Sequence, residues 1–278
     1  MQLHQGTVAV AGATLHYETC GQGPPLLLIQ GGISEAGATR QFAGELARRH
    51  QVISYDRRGL SRSPASSEVP VSMRRHADDA SAVLAELTAR PAVVIGASIG
   101  ALIGLHLAVD HPGQVDTLIA HEPPMTAVVA DAEREAGLDA VAELARSDVF
   151  AAIGHMASLA GPQPTPQDGA RPEEPVGDVR EHLTWFFAHD FPAVRSAALD
   201  ADAVRTVPET TRIVPTGGAD NPHRWERRCA AELATALDRD LVELSGGHNG
   251  FVSHPWATAA EVTRLLREDR RSTSADAE

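Results

Sequence analysis

Short runs of consecutive apolar residues alternate, through the first 120 positions, with segments whose apolar residues recur every three or four positions. The runs predict strands at 13–19, 25–30, 51–55, 92–96 and 115–121. A Gly-Gln-Gly-Pro-Pro turn separates the first two. The periodic segments predict helices at 39–49, with Phe42, Ala43 and Leu46 on one face, and at 76–88, with Val83, Leu84 and Leu87 apolar. A third helix, 99–109, is apolar nearly all round and so expected to be buried. Short apolar strands alternating with helices indicate parallel βαβ units with helices on both faces of the sheet.

The rhythm breaks after Pro124. From 125 to 202 the pattern is helical in pieces, interrupted by the Pro/Gly-rich stretch 161–172. Trp185, Phe186 and Phe187 stand together there and are expected either to wall a substrate site or to form the segment's own core. The α/β rhythm returns with a strand at 211–215, a helix at 224–237, a strand at 241–244 and a helix at 256–267. The organisation expected is therefore an α/β core made of 1–124 and 203–270, a helical insertion at 125–202 placed as a cap, and a polar, disordered tail at 271–278.

Composition narrows the function. Of 278 residues, 43% are hydrophobic and 22% charged, the balance of a globular chain with a full core. A net charge of −13 repels phosphate backbones, so no nucleic-acid partner is expected. Every cationic residue is Arg, and the absence of Lys excludes a Schiff-base enzyme and a P-loop. Cys20 and Cys229 lie in no metal-ligand spacing, and two unpaired thiols suit a reducing compartment. No basic, apolar leader opens the chain, and no apolar run approaches the roughly 20 residues of a membrane span. The expectation is a cytoplasmic protein with a small-molecule substrate, no membrane partner, no metal and no cofactor.

Gly96-Ala97-Ser98-Ile99-Gly100 follows an apolar strand and opens the apolar helix. That context forces Ser98 into a sharp strand-to-helix turn and pushes its hydroxyl out of the sheet, as a nucleophile requires. The other reading of such a turn is a phosphate site at the helix N-terminus. A nucleophilic serine needs a base. His248, in the loop Ser245-Gly246-Gly247-His248-Asn249-Gly250 after the last strand, is the candidate. The base needs an orienting carboxylate. Asp220, after the 211–215 strand, is the preferred choice, and Glu122, in His121-Glu122-Pro123-Pro124, is the rival. The backbone N–H groups of Ile99 and of Gly32, in Gln30-Gly31-Gly32-Ile33, are the candidate oxyanion donors. Trp185, Phe186 and Phe187 are the candidate substrate contacts.

Taken together, Gln30-Gly31-Gly32, Tyr55-Asp56-Arg57-Arg58-Gly59-Leu60-Ser61-Arg62-Ser63, Gly96-Ala97-Ser98-Ile99-Gly100, Gly217-Gly218-Ala219-Asp220 and Gly247-His248 resemble the α/β-hydrolase superfamily over about residues 12–268. The resemblance implies an eight-stranded, mostly parallel sheet with a helical cap between strands six and seven. It also implies cofactor-free Ser-His-Asp chemistry, with Asp56 and Arg58 as structural parts near the site. Gln30 replaces the usual His. The activity implied is hydrolysis of an ester or related acyl bond of a small, largely apolar molecule. Cleavage of a C–C bond or lactone by the same groups stays open, as does a non-hydrolytic biosynthetic or receptor role, because cap and not triad selects the substrate. Epoxide or haloalkane hydrolysis needs an Asp where Ser98 stands.

Overall fold

In a computed structural model, the structure describes residues 2–161 and 163–275. Eight strands form one sheet in the order β1-β2-β4-β3-β5-β6-β7-β8. They are β1 (Leu3–Val10), β2 (Ala13–Cys20), β3 (Pro25–Ile29), β4 (Gln51–Tyr55), β5 (Ala92–Ala97), β6 (Val115–His121), β7 (Arg212–Gly218) and β8 (Val242–Leu244). β2 is antiparallel to β1 and β4, and every pairing from β4 to β8 is parallel.

Alternation along the central strands feeds two cores. Leu27, Ile29 and Val94 face one side, under α2 (Met73–Leu87), α3 (Ile99–Asp110) and α9 (Trp225–Ala236). Leu26, Leu28, Val93 and Ile95 face the other, under α1 (Arg40–Leu46), α10 (Gly250–Ser253) and α11 (Pro255–Ala275). Central strands buried on both faces read as continuous apolar runs, which is why 25–30 and 92–96 are visible in sequence. α2 begins at Met73 because the Ser72 hydroxyl accepts the Arg75 N–H at 3.1 Å. α11 runs to Ala275, into the stretch expected to be a disordered tail; 276–278 lie outside the described residues.

Among the described residues, five helices lie between β6 and β7: α4 (Ala132–Ala145), α5 (Val149–Leu159), α6 (Val179–Trp185), α7 (Phe191–Arg195) and α8 (Ala201–Arg205). A five-residue π turn, Phe186–Asp190, joins α6 to α7. Asp131, Asp148, Asp178 and Asp200 cap α4, α5, α6 and α8 by accepting backbone N–H groups of the first turn. The inserted helices share a core of Leu138, Val141, Leu183, Phe186, Phe187 and Phe191, separate from the two sheet cores. α8 belongs to the sheet side instead, burying Val204 in the layer under α3. No described helix is long and apolar enough to cross a membrane.

Candidate active site

The turn from β5 into α3 holds Ser98 at φ 52° and ψ −121°, a strained conformation for a residue with a side chain. Its N–H donates to His121 C=O at 2.9 Å, which ties the turn to the end of β6. Ser98 occupies the N-cap of α3, yet its side chain makes no capping bond, so the hydroxyl stays uncommitted. Gly100 is required by close approach: a Cβ there would overlap the Ile29 carbonyl. Gly31 lies on the opposite side of the turn, where a Cβ would stand 3.5 Å from Ser98 Cβ. The Gly31-Gly32 loop is thus packed directly against the serine. The N–H of Ile99 is one of the orphan donors of a helix start, and Gly32, at φ +48°, lies across from it.

The carboxylate on His248 is Glu122, not Asp220. His248 Nδ1 lies 2.7 Å from Glu122 Oε2, and Gly218 N–H donates to Glu122 Oε1 at 2.8 Å. Ala97 of β5 pairs with His121 of β6, and Thr216 of β7 pairs with His121 in turn. Ser98 and Glu122 are each the next residue past paired strand ends, so parallel register sets them side by side. Glu122 takes φ +50°, and its N–H donates to Thr216 C=O at 3.0 Å. Asp220 is carried away because the backbone beyond β7 stays bonded to the β8 edge, Ala219 N–H to Leu244 C=O and Asp220 N–H to Gly246 C=O. Its side chain is exposed, on a charged cleft with Asn221 and His223.

Electrostatics fix the form of this acid. Burial raises the Glu122 carboxyl, but the hydrogen bond from His248, the charges of His121 and His248 and the Gly218 N–H outweigh it and hold the group at about 2. Arg224 Nε stands 3.8 Å from Glu122 Oε2 and 2.9 Å from Glu226 Oε2, which extends the charge pattern away from the histidine. The neighbouring His121 is fully buried, and burial lowers it to about 4, so it is neutral near pH 7 and charged only in the acid range where Glu122 titrates. It lies 3.2 Å from Thr216 Oγ1 and 3.3 Å from Gly247 C=O. Nε2 therefore carries the proton and steadies the loop that presents His248.

Asp56 and Arg58 are structural. Asp56 accepts the Ala36 N–H at 2.8 Å and the Arg62 side chain at 2.8 and 3.0 Å. Arg58 makes a bidentate pair with Asp79, both bonds 2.6 Å. Gln30, in place of the usual His, donates to Thr39 Oγ1 at 2.8 Å.

A narrow cavity of about 60 Å³ lies over the serine. It is lined by Gly32, Ser98 and Ile99 of the core and by Leu138, Phe186 and Phe191 of the inserted helices, with Arg134, Arg195 and Glu226 also in its wall. Of the three aromatics picked from the sequence, Phe186 alone lines it. Trp185 lies on the core loop 57–63, where a Cβ at Gly59 would overlap the indole, and stacks on His189 at 4.0 Å. Phe187 faces a separate groove on the insertion's outer side. Among the described residues no cluster of three His, Cys, Asp or Glu side chains is placed to hold a metal.

A sequence profile of the alpha/beta hydrolase fold matches residues 24–159. An uncharacterized hydrolase of Bacillus subtilis, YraK, is 31% identical over 280 residues, covering 98% of this chain and all of that protein. The chain belongs to the α/β-hydrolase fold family. Among solved structures it resembles a bacterial membrane phospholipase A described as a virulence factor, with a TM-score of 0.75 at 20% identity over 96% of this chain and 87% of the other. It also resembles Est816, described as an N-acyl homoserine lactone degrading enzyme, with a TM-score of 0.65 at 20% identity over 95% and 99%.

Proposed function

We propose that this chain is a serine hydrolase that cleaves an ester or related acyl bond of a small, largely apolar molecule. The observation that carries the reading is the 2.7 Å contact of His248 with a buried, ionised Glu122, which stands one strand over and in register with a strained serine whose hydroxyl caps nothing. In this reading Ser98 Oγ attacks the carbonyl carbon while His248 Nε2 takes the hydroxyl proton. The Nδ1–H stays on His248 and donates to Glu122, whose charge stabilises the imidazolium. The oxyanion of the tetrahedral intermediate faces the N–H groups of Ile99 and Gly32. On collapse the imidazolium returns its proton to the leaving group, and water repeats the cycle to release the acid and free Ser98.

The narrow cavity supports a short acyl group rather than a bulky one. The two buried, unpaired thiols support a reducing, cytoplasmic setting. The direct test is turnover of short-chain aryl esters. Ser98→Ala is expected to keep the fold and lower kcat by about 10³-fold or more, the scale seen when a triad member is removed. Near-normal turnover by Ser98→Ala would sink the acyl-enzyme reading.

A further inference from the structure

Asp190 is the last residue of the π turn in the helical insertion and is fully buried. Its two oxygens are divided between two elements of the core. Oδ1 lies 3.0 Å from Nε2 of His76 on α2, and Oδ2 accepts from Arg57 Nη2 at 3.1 Å. Both partners are also fully buried. Arg57 leads on to the oxyanion loop. Its Nη1 donates to Gln30 C=O at 2.7 Å and its Nη2 donates to Gly32 C=O. The carbonyl between them, Gly31 C=O, accepts from Ser34 N–H at 3.0 Å.

Arg57 therefore holds the Gln30 and Gly32 carbonyls, and the Gly31 carbonyl between them is held within the loop by Ser34. In a planar trans peptide the carbonyl and the following N–H point in opposite directions. Arg57 thus fixes the aim of the Gly31 and Ile33 N–H groups, and so clamps from both sides the peptide between them that carries the Gly32 N–H. The control is needed there, because Gly32 has positive φ and open space where a Cβ would sit, so its own sterics select no conformation. A guanidinium buried among neutral carbonyls is costly unless a carboxylate accompanies it. Asp190 is the carboxylate bonded to Arg57. Burial opposes the charge on Asp190, but His76 and Arg57 outweigh that and keep its carboxyl below the ordinary range.

We propose that Asp190 is a positioning residue of the acyl-transfer reaction: from the helical insertion, and through Arg57, it sets the oxyanion loop. The inference rests on the reading of Ser98 as nucleophile. The rival role for the same contact is a purely structural tie between insertion and core.

The test is made on the full chain with a short aryl ester, an arylboronic acid and a melting curve. The boronate forms a tetrahedral adduct on the serine and reads the oxyanion site without turnover. Asp190→Asn keeps the shape and removes one acceptor and the charge. It is expected to lower kcat by about 10- to 100-fold, short of the 10²–10³ of losing an oxyanion donor outright. KM should change by less than about threefold, and boronate affinity should fall in step with kcat. Trp185→Ala, which loosens the docking without touching Arg57, should lower Tm and leave kcat and boronate affinity near wild type. If Asp190→Asn does not fold, His76→Gln carries the test, with a smaller, roughly three- to tenfold, parallel loss. A lowered Tm with kcat and boronate affinity within about twofold of wild type, in whichever variant folds, would leave only the structural tie and overturn the proposal. Loss of the underlying reading looks different: Ser98→Ala would then match wild type.

Discussion

Glu122 and Asp220 satisfy the same rule in sequence, a carboxylate just past a strand end and before the histidine, and only the fold separates them. Glu122 sits beyond the strand next to the elbow, under the His248 loop, whereas Asp220 follows a strand whose backbone continues to the surface. On aryl ester turnover, Glu122→Gln should cost about 10³-fold or more, since an amide cannot stabilise the imidazolium and favours the wrong tautomer. Asp220→Asn should stay within about threefold, and the opposite ranking would overturn the assignment of the acid. The same residue predicts a pH dependence of stability. Its folded value, about 2, lies below the ordinary 4.5. The stabilisation is therefore complete above about pH 4.5 and lost as pH falls toward 2, and it amounts to roughly 3 kcal/mol. Melting curves from pH 6 to 2 should fall more steeply for wild type than for Glu122→Gln; equal slopes would contradict the depressed value.

At the scale of elements, α6 and the π turn divide labour among the aromatic side chains. Trp185 presses on the core loop at Gly59, and nearby His182 Nε2 accepts the Ser61 N–H at 3.1 Å. Phe186 points into the cavity over Ser98. Trp185→Ala should thus destabilise, by about 2–4 kcal/mol on the scale of large aromatic truncations, and leave the relative turnover of short and long acyl esters unchanged. Phe186→Ala should enlarge the cavity and raise kcat/KM for a longer acyl chain relative to acetyl by about tenfold. Steady-state kinetics on both esters check the pair, and an unchanged chain-length preference in Phe186→Ala would remove it from the substrate wall. Aromatic clustering in sequence carries no information about which ring faces which way. Trp185 meets the core loop while Phe186 and Phe187 pack edge to face in the insertion's own core, because successive side chains on a helix are turned by about 100° from one another.

For the whole molecule, what could be read early is what local pattern determines. The central strands are continuous apolar runs, and the strand–Gly-x-Ser-x-Gly–helix context marks Ser98 without any tertiary knowledge. The histidine loop after the last strand is equally local. β1 escaped because it is an edge strand in which only Val8 is buried, with no clean alternation. The links that complete the site are long-range. Glu122 reaches His248 across 126 positions and Arg57 reaches Asp190 across 133, and neither has a signature in its own neighbourhood.

Those links converge on one claim, that Ser98 is the activated nucleophile of the whole assembly. The most direct measurement is intact mass and peptide mapping after treatment with a fluorophosphonate. One adduct per chain, mapped to Ser98, absent in Ser98→Ala and formed at least about 10²-fold more slowly in Glu122→Gln, is the result predicted. An adduct on another residue, or labelling of Ser98 at the same rate in Glu122→Gln, would contradict it.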